Sequence, residues 1–301
     1  MTERATLDGR AASSAAVPIP GPPEVPALRL RAAALAFGNR TLWRDLDLTV
    51  APGEFVAVLG SNGSGKTSLL RTILGEVSLT SGEGSISGRP LGRGSTQVGY
   101  VPQRIAIDAA TMIKARDVVR LGLDGHRWGV PIAFGARRRA TRDRIDELLR
   151  SVGADSFADA PVSMLSGGEL QRVRVAAALA SDPALLLCDE PLAALDLRHQ
   201  QDIAALIDRQ RRSRRTAVLF VTHYINPVLP YVDQVLYLAG GSFRLGPPDR
   251  VLTSKGLSEL YGAPVDVLTV QGRIIVVSST EAVNHQSHDD HAATEVGEQW
   301  R

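Results

Sequence analysis

The sequence predicts an α/β fold in which helices cover a mainly parallel sheet, and three observations support this prediction. Short apolar runs at residues 55–59, 185–188 and 217–221 have the length and composition of strands buried on both faces. Helical stretches follow at about 66–74, 169–181 and 198–212, so strands and helices alternate along the chain. A glycine-rich loop lies between the first of these strands and its helix, as in proteins that bind phosphate on such a fold.

The other elements surround this core. Leu46, Leu48 and Val50 alternate with polar residues, which predicts a half-buried antiparallel strand ahead of residue 55. Residues 104–165 contain no strong strand run and predict a helical subdomain, with a helix at 142–152. Further on, residues 235–239 and 243–245 flank two glycines and predict a hairpin, and residues 274–277 predict a late strand.

Length and composition limit the function classes. The chain has 301 residues, 44% apolar and 22% charged, which suggests about two domains or one α/β domain with an insertion. A net charge of +2 argues against a protein that coats nucleic acid. The single cysteine, Cys188, excludes an intrachain disulfide. No apolar run approaches the 18 to 20 residues that cross a bilayer, so we expect a soluble chain that another protein holds at any membrane.

Both ends of the sequence are predicted to be disordered. Residues 1–26 are rich in proline and alanine, and residues 281–301 are polar and contain three histidines. The folded domain is therefore expected to span residues 27–280.

Residues 60–67 read Gly-Ser-Asn-Gly-Ser-Gly-Lys-Thr and match the pattern G-x-x-x-x-G-K-S/T. The glycines let backbone N–H groups surround a phosphate at the positive end of a helix. In this pattern Lys66 reaches the β and γ phosphates of the nucleotide, and the Thr67 hydroxyl binds Mg²⁺. The predicted nucleotide-binding residues are Gly60, Ser61, Asn62, Gly63, Ser64, Gly65, Lys66, Thr67 and Ser68.

Two acidic residues, Asp189 and Glu190, follow the apolar run at 185–188. Ligands of α/β sheets bind at the carboxyl ends of the strands. The position predicts that Asp189 binds Mg²⁺, directly or through water, and that Glu190 polarises the attacking water. Alternatively, an acidic pair after a strand only begins a solvated loop.

A second glycine pair occurs in the sequence Ser166-Gly167-Gly168-Glu169 ahead of a long helical run. The S-x-x-E spacing is a capping box, so the segment could be only a helix start. Two glycines inside such a box have an entropic cost, which favours close approach of the backbone to an anion. Because one loop already holds a phosphate, we predict that this anion belongs to another subunit.

Taken together, residues 28–280 resemble the ATP-binding subunit of an ABC transporter. The resemblance includes the Walker A loop at 60–67, the Q-loop with Gln103, the signature at 165–169, and the Walker B strand ending at Asp189. It also includes the D-loop at 192–196 and the switch histidine His223, while Phe37 occupies the place of an aromatic residue that stacks on adenine. Phe37 replaces a tyrosine, and Ala193-Ala194 replaces a commoner Thr or Ser followed by Gly.

The resemblance implies an ATPase that uses ATP and Mg²⁺ and works as a head-to-tail dimer. Each ATP would lie between the Walker A loop of one copy and Ser166, Gly167 and Gly168 of the other, with Asp196 nearby. The implied Mg²⁺ ligands are Thr67, Gln103 and Asp189, and the implied catalytic residues are Glu190, His223, Lys66 and Gln103. Gln103 would also connect the helical subdomain to a polytopic membrane permease at the cytoplasmic face of the membrane.

The cargo is predicted from resemblance alone. Residues 222–229 and 260–268 resemble those of zinc and manganese importers, which implies a permease and an extracytoplasmic metal-binding protein as partners. Other interpretations stay open: a different cargo such as an iron chelate or a drug, or a non-transport ATPase that acts on DNA or ribosomes. A metal-buffering role for His285, His288 and His291 is the third.

Two arginine runs, at 137–139 and 211–215, resemble nucleic-acid patches but have no interleaved aromatic residue. We expect them to form solvated faces or to contact lipid head groups, and we expect no nucleic-acid partner. His126 and His199 are expected to be solvated.

Overall fold

The computed structural model describes residues 24–103, 112–124 and 136–278. Within these ranges no helix has the length and apolar character needed to span a membrane. The predictions for His126, for the terminal segments 1–23 and 279–301, and for the tail histidines concern residues outside these ranges.

An antiparallel sheet forms the N-terminal part, in the order β2-β1-β4-β5. Its strands are β1 (Leu28–Phe37), β2 (Arg40–Val50), β4 (Ser81–Ile86) and β5 (Arg89–Pro90). Leu46, Leu48 and Val50 are buried and the residues between them are exposed, so the antiparallel strand predicted from this alternation is confirmed.

A six-stranded sheet forms the centre, in the order β10-β9-β3-β8-β7-β6. Its strands are β3 (Phe55–Gly60), β6 (Val98–Val101), β7 (Leu185–Asp189), β8 (Ala217–Val221), β9 (Gln234–Ala239) and β10 (Ser242–Gly246). All neighbouring pairs from β9 to β6 are parallel, and β10 pairs antiparallel with β9. The predicted parallel core and the predicted hairpin are both confirmed.

The helices and a small C-terminal hairpin complete the described chain. The helices are α1 (Lys66–Ile73), α2 (Ala115–Asp124), α3 (Ala136–Ser151), α4 (Gly167–Ala178), α5 (Leu197–Arg214), α6 (Pro248–Val251) and α7 (Ser254–Tyr261). Short 3-10 helices lie at Asp155–Phe157, Val162–Met164 and Leu229–Tyr231. The hairpin pairs β11 (Val265–Val270) with β12 (Arg273–Ser278). The predicted helix at 142–152 lies almost entirely in α3, and the late strand is β12.

Alternate residues of the central strands face two separate apolar cores. On β3, Val56 and Val58 pack with the antiparallel sheet and α1. Phe55 and Ala57 point to the opposite face and pack with residues of α3, α4 and α5. Because both faces are covered, these strands are apolar throughout, which explains why their sequences show no alternation.

The prediction for the second arginine run is wrong at Arg211. Its side chain is only 8% exposed and forms ion pairs with Asp208 (Nε to Oδ1, 2.7 Å) and Asp233 (Nη1 to Oδ2, 2.9 Å). The guanidinium also donates to the carbonyl oxygen of Gly53 at 2.6 Å. The run therefore does not form one solvated face, because its first member joins α5 to the segments before β3 and β9.

Cys188 gives a direct probe of the folded core. Its thiol is fully buried in β7, and burial raises the pKa of this thiol well above its usual range. Because the thiolate is the reactive form, the folded chain should resist a maleimide reagent at neutral pH and react rapidly in denaturant. Mass spectrometry of the labelled chain measures this, and fast labelling of the native chain would contradict the burial of β7.

Candidate nucleotide site

The predicted site residues follow the carboxyl ends of neighbouring parallel strands. The loop at 60–67 follows β3, Gln103 lies shortly after β6, Glu190 comes directly after β7, and His223 comes shortly after β8. Since parallel strands end at the same edge of a sheet, the topology brings these groups together.

The loop at 60–67 has a backbone that suits only glycine at several positions. Gly60 has φ +144, and a Cβ there would lie 2.2 Å from the carbonyl oxygen of Leu238. Gly63 and Gly65 also have positive φ, and Gly65 is the N-cap of α1. The hydroxyl of Ser64 is buried without a partner among the described residues. These features are those of an anion-binding loop at a helix N-terminus.

Lys66 lies folded over this loop. Its Nζ donates to the carbonyl oxygens of Gly60 at 2.7 Å and Ser61 at 3.0 Å. Burial lowers the pKa of Lys66, while the nearby carboxylates of Glu190 and Asp189 act in the opposite direction. Hence the two acidic residues lie close enough to influence the ammonium group.

Glu190 is bonded on both carboxylate oxygens. Its Oε1 lies 2.7 Å from Nε2 of His223, and its Oε2 accepts a hydrogen bond from Nε2 of Gln103 at 2.9 Å. The Glu190 backbone has φ +46, in the left-handed region that non-glycine residues rarely adopt, and its N–H donates to the Val221 carbonyl at 3.0 Å. Such strain is concentrated at functional sites. Two of the predicted residues, Gln103 and His223, which follow two different strands, thus both contact Glu190 directly.

Asp189 is buried next to this group. Burial and the adjacent Glu190 raise the pKa of Asp189, and the Tyr100 hydroxyl lies 3.4 Å from its Oδ2. Burial and the neighbouring carboxylate raise the pKa of Tyr100 to about 12, so this hydroxyl keeps its proton at neutral pH. Tyr100 belongs to no sequence motif, because the four residues of β6 form no pattern that predicts a strand.

The donor set predicted for Mg²⁺ is chemically suitable. Thr67, Asp189 and Gln103 offer a hydroxyl, a carboxylate and an amide oxygen, and hard oxygen ligands are those that Mg²⁺ prefers. Thr67 lies on the first turn of α1, beside the loop that would hold the phosphates. In the described part of the chain no group of three or more His, Cys, Asp or Glu side chains is arranged to hold a metal ion.

The Ser166–Glu169 turn forms the predicted capping box at the start of α4. The Ser166 hydroxyl accepts from the Glu169 N–H at 3.3 Å, and the Glu169 carboxylate accepts from the Ser166 N–H at 2.9 Å. Among the described residues, no hydrogen bond or ion pair joins this turn to the loop at 60–67. Ser166, Gly167 and Gly168 are therefore not bonded to the phosphate loop of the same chain in the part of the chain that the structure describes.

Asp196 begins α5. Its carboxylate accepts from the His199 N–H at 2.9 Å and bonds the His199 ring at 2.7 Å. The ring lies against Gly168, where a Cβ would come within 2.8 Å of it. His199 is nevertheless exposed, so the expectation that it is solvated is confirmed.

Phe37 and Arg40 pair with each other at the turn between β1 and β2. Phe37 ends β1 with 53% of its surface exposed, which leaves the ring free to stack. Arg40, which sequence analysis missed, donates from Nη2 to the Gly63 carbonyl at 2.8 Å and so supports the tip of the phosphate loop. The position of Arg40 on β2 carries no local motif, and only the fold reveals this contact.

The lysine-bearing phosphate loop lies at the carboxyl edge of a parallel sheet, with a buried aspartate, a partly buried glutamate and a histidine. This arrangement defines a P-loop nucleotide hydrolase. The sequence profile of the ABC transporter family matches residues 43–193. The zinc import ATP-binding protein ZnuC of Pseudomonas putida is 34% identical over 243 residues, covering 81% of this chain and 86% of that protein. The hemin import ATP-binding protein HmuV of Streptomyces coelicolor is 35% identical over 257 residues, covering 83% and 89%.

Comparison with solved structures supports the same family. A transporter classed as metal-chelate type, in an inward-facing conformation, aligns with a TM-score of 0.71 and 25% identity over 85% of this chain and 99% of that one. A dimeric ATP-binding cassette with ADP and Pi aligns with a TM-score of 0.61 and 27% identity, over 73% and 98%. The chain belongs to the ABC transporter family. It is an ATPase that resembles the ATPase subunits of metal importers, and it uses ATP with Mg²⁺.

Proposed function

We propose that this chain is the ATP-hydrolysing subunit of an importer for a divalent metal ion, zinc or manganese. The observation that carries the ATPase part is the bonding of Glu190 to both His223 and Gln103 beside the phosphate loop. The import part is supported by the curated relatives, several of which are named as zinc import proteins. In this proposal the chain lies at the cytoplasmic face of the membrane, against a polytopic permease. An extracytoplasmic metal-binding protein delivers the metal ion to that permease.

Two copies are proposed to enclose two ATP molecules head to tail. Among the described residues the Ser166–Glu169 turn makes no hydrogen bond or ion pair with the phosphate loop of its own chain. This supports a role for Ser166, Gly167 and Gly168 at the nucleotide of the partner copy. Ser166 begins a twelve-residue helix, whose N-terminus favours a negatively charged group. Gly168 also has no room for a side chain, because the His199 ring lies against it.

Within one such site the roles follow from position. Phe37 stacks on the adenine, the backbone of residues 60–68 surrounds the phosphates, and Asp196 lies near the nucleotide. Lys66 exchanges its bonds to the loop carbonyls for the β and γ phosphates. Thr67, Gln103 and Asp189 would hold Mg²⁺, which would supply positive charge to offset that of the transferred phosphoryl group.

Glu190 acts as the general base in this proposal. Its oxygens are held by His223 and Gln103 before nucleotide arrives, which fixes the carboxylate where it can accept a proton from the attacking water. His223 then stabilises charge on the phosphoryl group. Gln103 bonds to this carboxylate and precedes the predicted helical subdomain in the sequence. We therefore propose that closure around ATP moves the surface that meets the permease.

Uptake of labelled metal tests the proposed cargo. In cells that lack this chain, we expect accumulation of labelled Zn²⁺ or Mn²⁺ to fall, and the full-length chain but not its Lys66→Ala variant should restore it. An unchanged uptake of both ions would contradict metal-ion import. Deleting residues 281–301 should leave uptake intact, and loss of uptake on this deletion would favour a metal-buffering role of the histidine tail.

A metal chelate is the second candidate cargo. The hemin import protein is as similar to this chain as the zinc import proteins are, and a metal-chelate transporter is among the similar structures. The same cells, supplied with heme or a ferric chelate as the sole iron source, separate the two proposals. Failure to grow on the chelate with normal Zn²⁺ and Mn²⁺ uptake would favour the second.

A further inference from the structure

The C-terminal hairpin β11–β12 is bonded to the loop that carries His223. Asn226 makes both bonds with its side-chain amide: Nδ2 donates to the Ile274 carbonyl at 2.9 Å, and Oδ1 accepts from the Ile274 N–H at 2.8 Å. One side chain thereby occupies both backbone groups of a β12 residue, as a neighbouring strand would. Asn226 lies three residues after His223, and Ile274 lies 48 residues further along the chain.

The loop between β8 and the 3-10 helix at Leu229–Tyr231 has few other attachments near the histidine. Thr222 is buried at its start and bonds to the backbone of Tyr224 on both its N–H and its carbonyl. Ile225 and Val228 are buried in the core. The His223 ring is partly exposed between these anchors, and its bond to Glu190 at 2.7 Å requires the loop to hold its position.

The hairpin to which Asn226 bonds is also attached to helix α7. The Val267 N–H donates to the Ser254 hydroxyl at 2.9 Å, and the Ser258 hydroxyl bonds to the backbone of Val265. Val265 is buried, and Ile274 packs on the core. The hairpin is therefore a fixed support, and a bond to it restrains whatever is attached.

We propose that Asn226 is a positioning residue of the ATPase, which holds His223 in register with Glu190 by joining its loop to β12. The alternative is that Asn226 only stabilises the fold. These two roles predict different effects of replacing Asn226 on ATP turnover. A positioning residue affects turnover through His223, whereas a merely structural residue does not. The proposal rests on the proposed role of His223 in hydrolysis.

The first test compares Asn226→Ala with Ser254→Ala in the purified full-length chain. Each variant removes hydrogen bonds to the hairpin, but only Asn226 connects the hairpin to the histidine loop. We expect Asn226→Ala to lower kcat roughly 10- to 100-fold, since small displacements of a catalytic group have effects of this size. The KM for ATP should change less than about threefold, because the phosphate loop is untouched, and Ser254→Ala should keep kcat within about twofold. Thermal melting of both variants measures their folding.

A double-mutant cycle with His223→Ala provides the decisive readout. If Asn226 acts through the histidine, Asn226→Ala should cause no further loss of kcat once His223 is replaced. The proposal would be overturned if Asn226→Ala lowered kcat by the same factor with His223 present and with His223 replaced. It would also be overturned if the Asn226→Ala variant alone kept more than half of the normal kcat. A His223→Ala variant with full turnover would instead overturn the proposed role of His223, so the two failures are distinguishable.

Discussion

Replacing Glu190 with glutamine is expected to lower steady ATP turnover by about 10²- to 10⁴-fold, the range that a general base contributes. The substitution keeps the shape of the side chain and one oxygen that can accept from Gln103. The new amide nitrogen can face His223, whose ring nitrogen can accept when the imidazole is neutral. The group that is lost is the one that takes a proton from water, so ATP binding should survive while hydrolysis stops.

Phosphate release measures turnover, and binding of a fluorescent ATP analogue measures the retained affinity. Glu83→Gln is the matched control, because Glu83 is an exposed acid of the antiparallel sheet that pairs with Arg31 at 3.6 Å. It should hydrolyse ATP at the normal rate. A Glu190→Gln chain that keeps more than a tenth of normal turnover would show that another group accepts the proton.

The central strands and the phosphate loop could be predicted from the sequence because their signals are local. A strand covered on both faces is apolar at every position, as at residues 55–59, whatever lies around it. The phosphate loop is predictable for a similar reason, because the positive φ of Gly60, Gly63 and Gly65 is a local requirement that favours glycine. The placement of Asp189 and Glu190 at the same edge followed from the rule for parallel strands.

Contacts between distant residues could not be predicted in this way. Tyr100 meets Asp189 only because β6 pairs with β7, and β6 has four residues, one of them glycine, too few for a pattern. Likewise Arg40 reaches Gly63 from a strand of the other sheet. The bonds from Asn226 to Ile274 depend on where the C-terminal hairpin packs, and β11 was not predicted at all. Such contacts come from topology, which a single sequence specifies only through the whole fold.

Arg211 is the plainest case of this limit, and it carries the largest expected effect on stability. Within a run of arginines it looks like any other basic residue, yet its guanidinium is enclosed by Asp208, Asp233 and the carbonyl of Gly53. Replacing it with methionine keeps the aliphatic stem and removes the charge. The buried carboxylate of Asp208 then keeps only its pair with the exposed Arg212. Breaking a buried pair on one side typically costs about 3 to 5 kcal/mol of unfolding free energy.

Arg212→Met is the control that separates burial from charge. Arg212 also pairs with Asp208, at 2.9 Å, but its side chain is 66% exposed. An exposed pair contributes less than about 1 kcal/mol, so this variant should unfold close to the normal urea concentration. Urea unfolding followed by circular dichroism, with labelling of Cys188 as a second probe, measures both. Equal losses in the two variants would mean that net charge, and not the enclosed guanidinium, stabilises the junction between α5 and the central sheet.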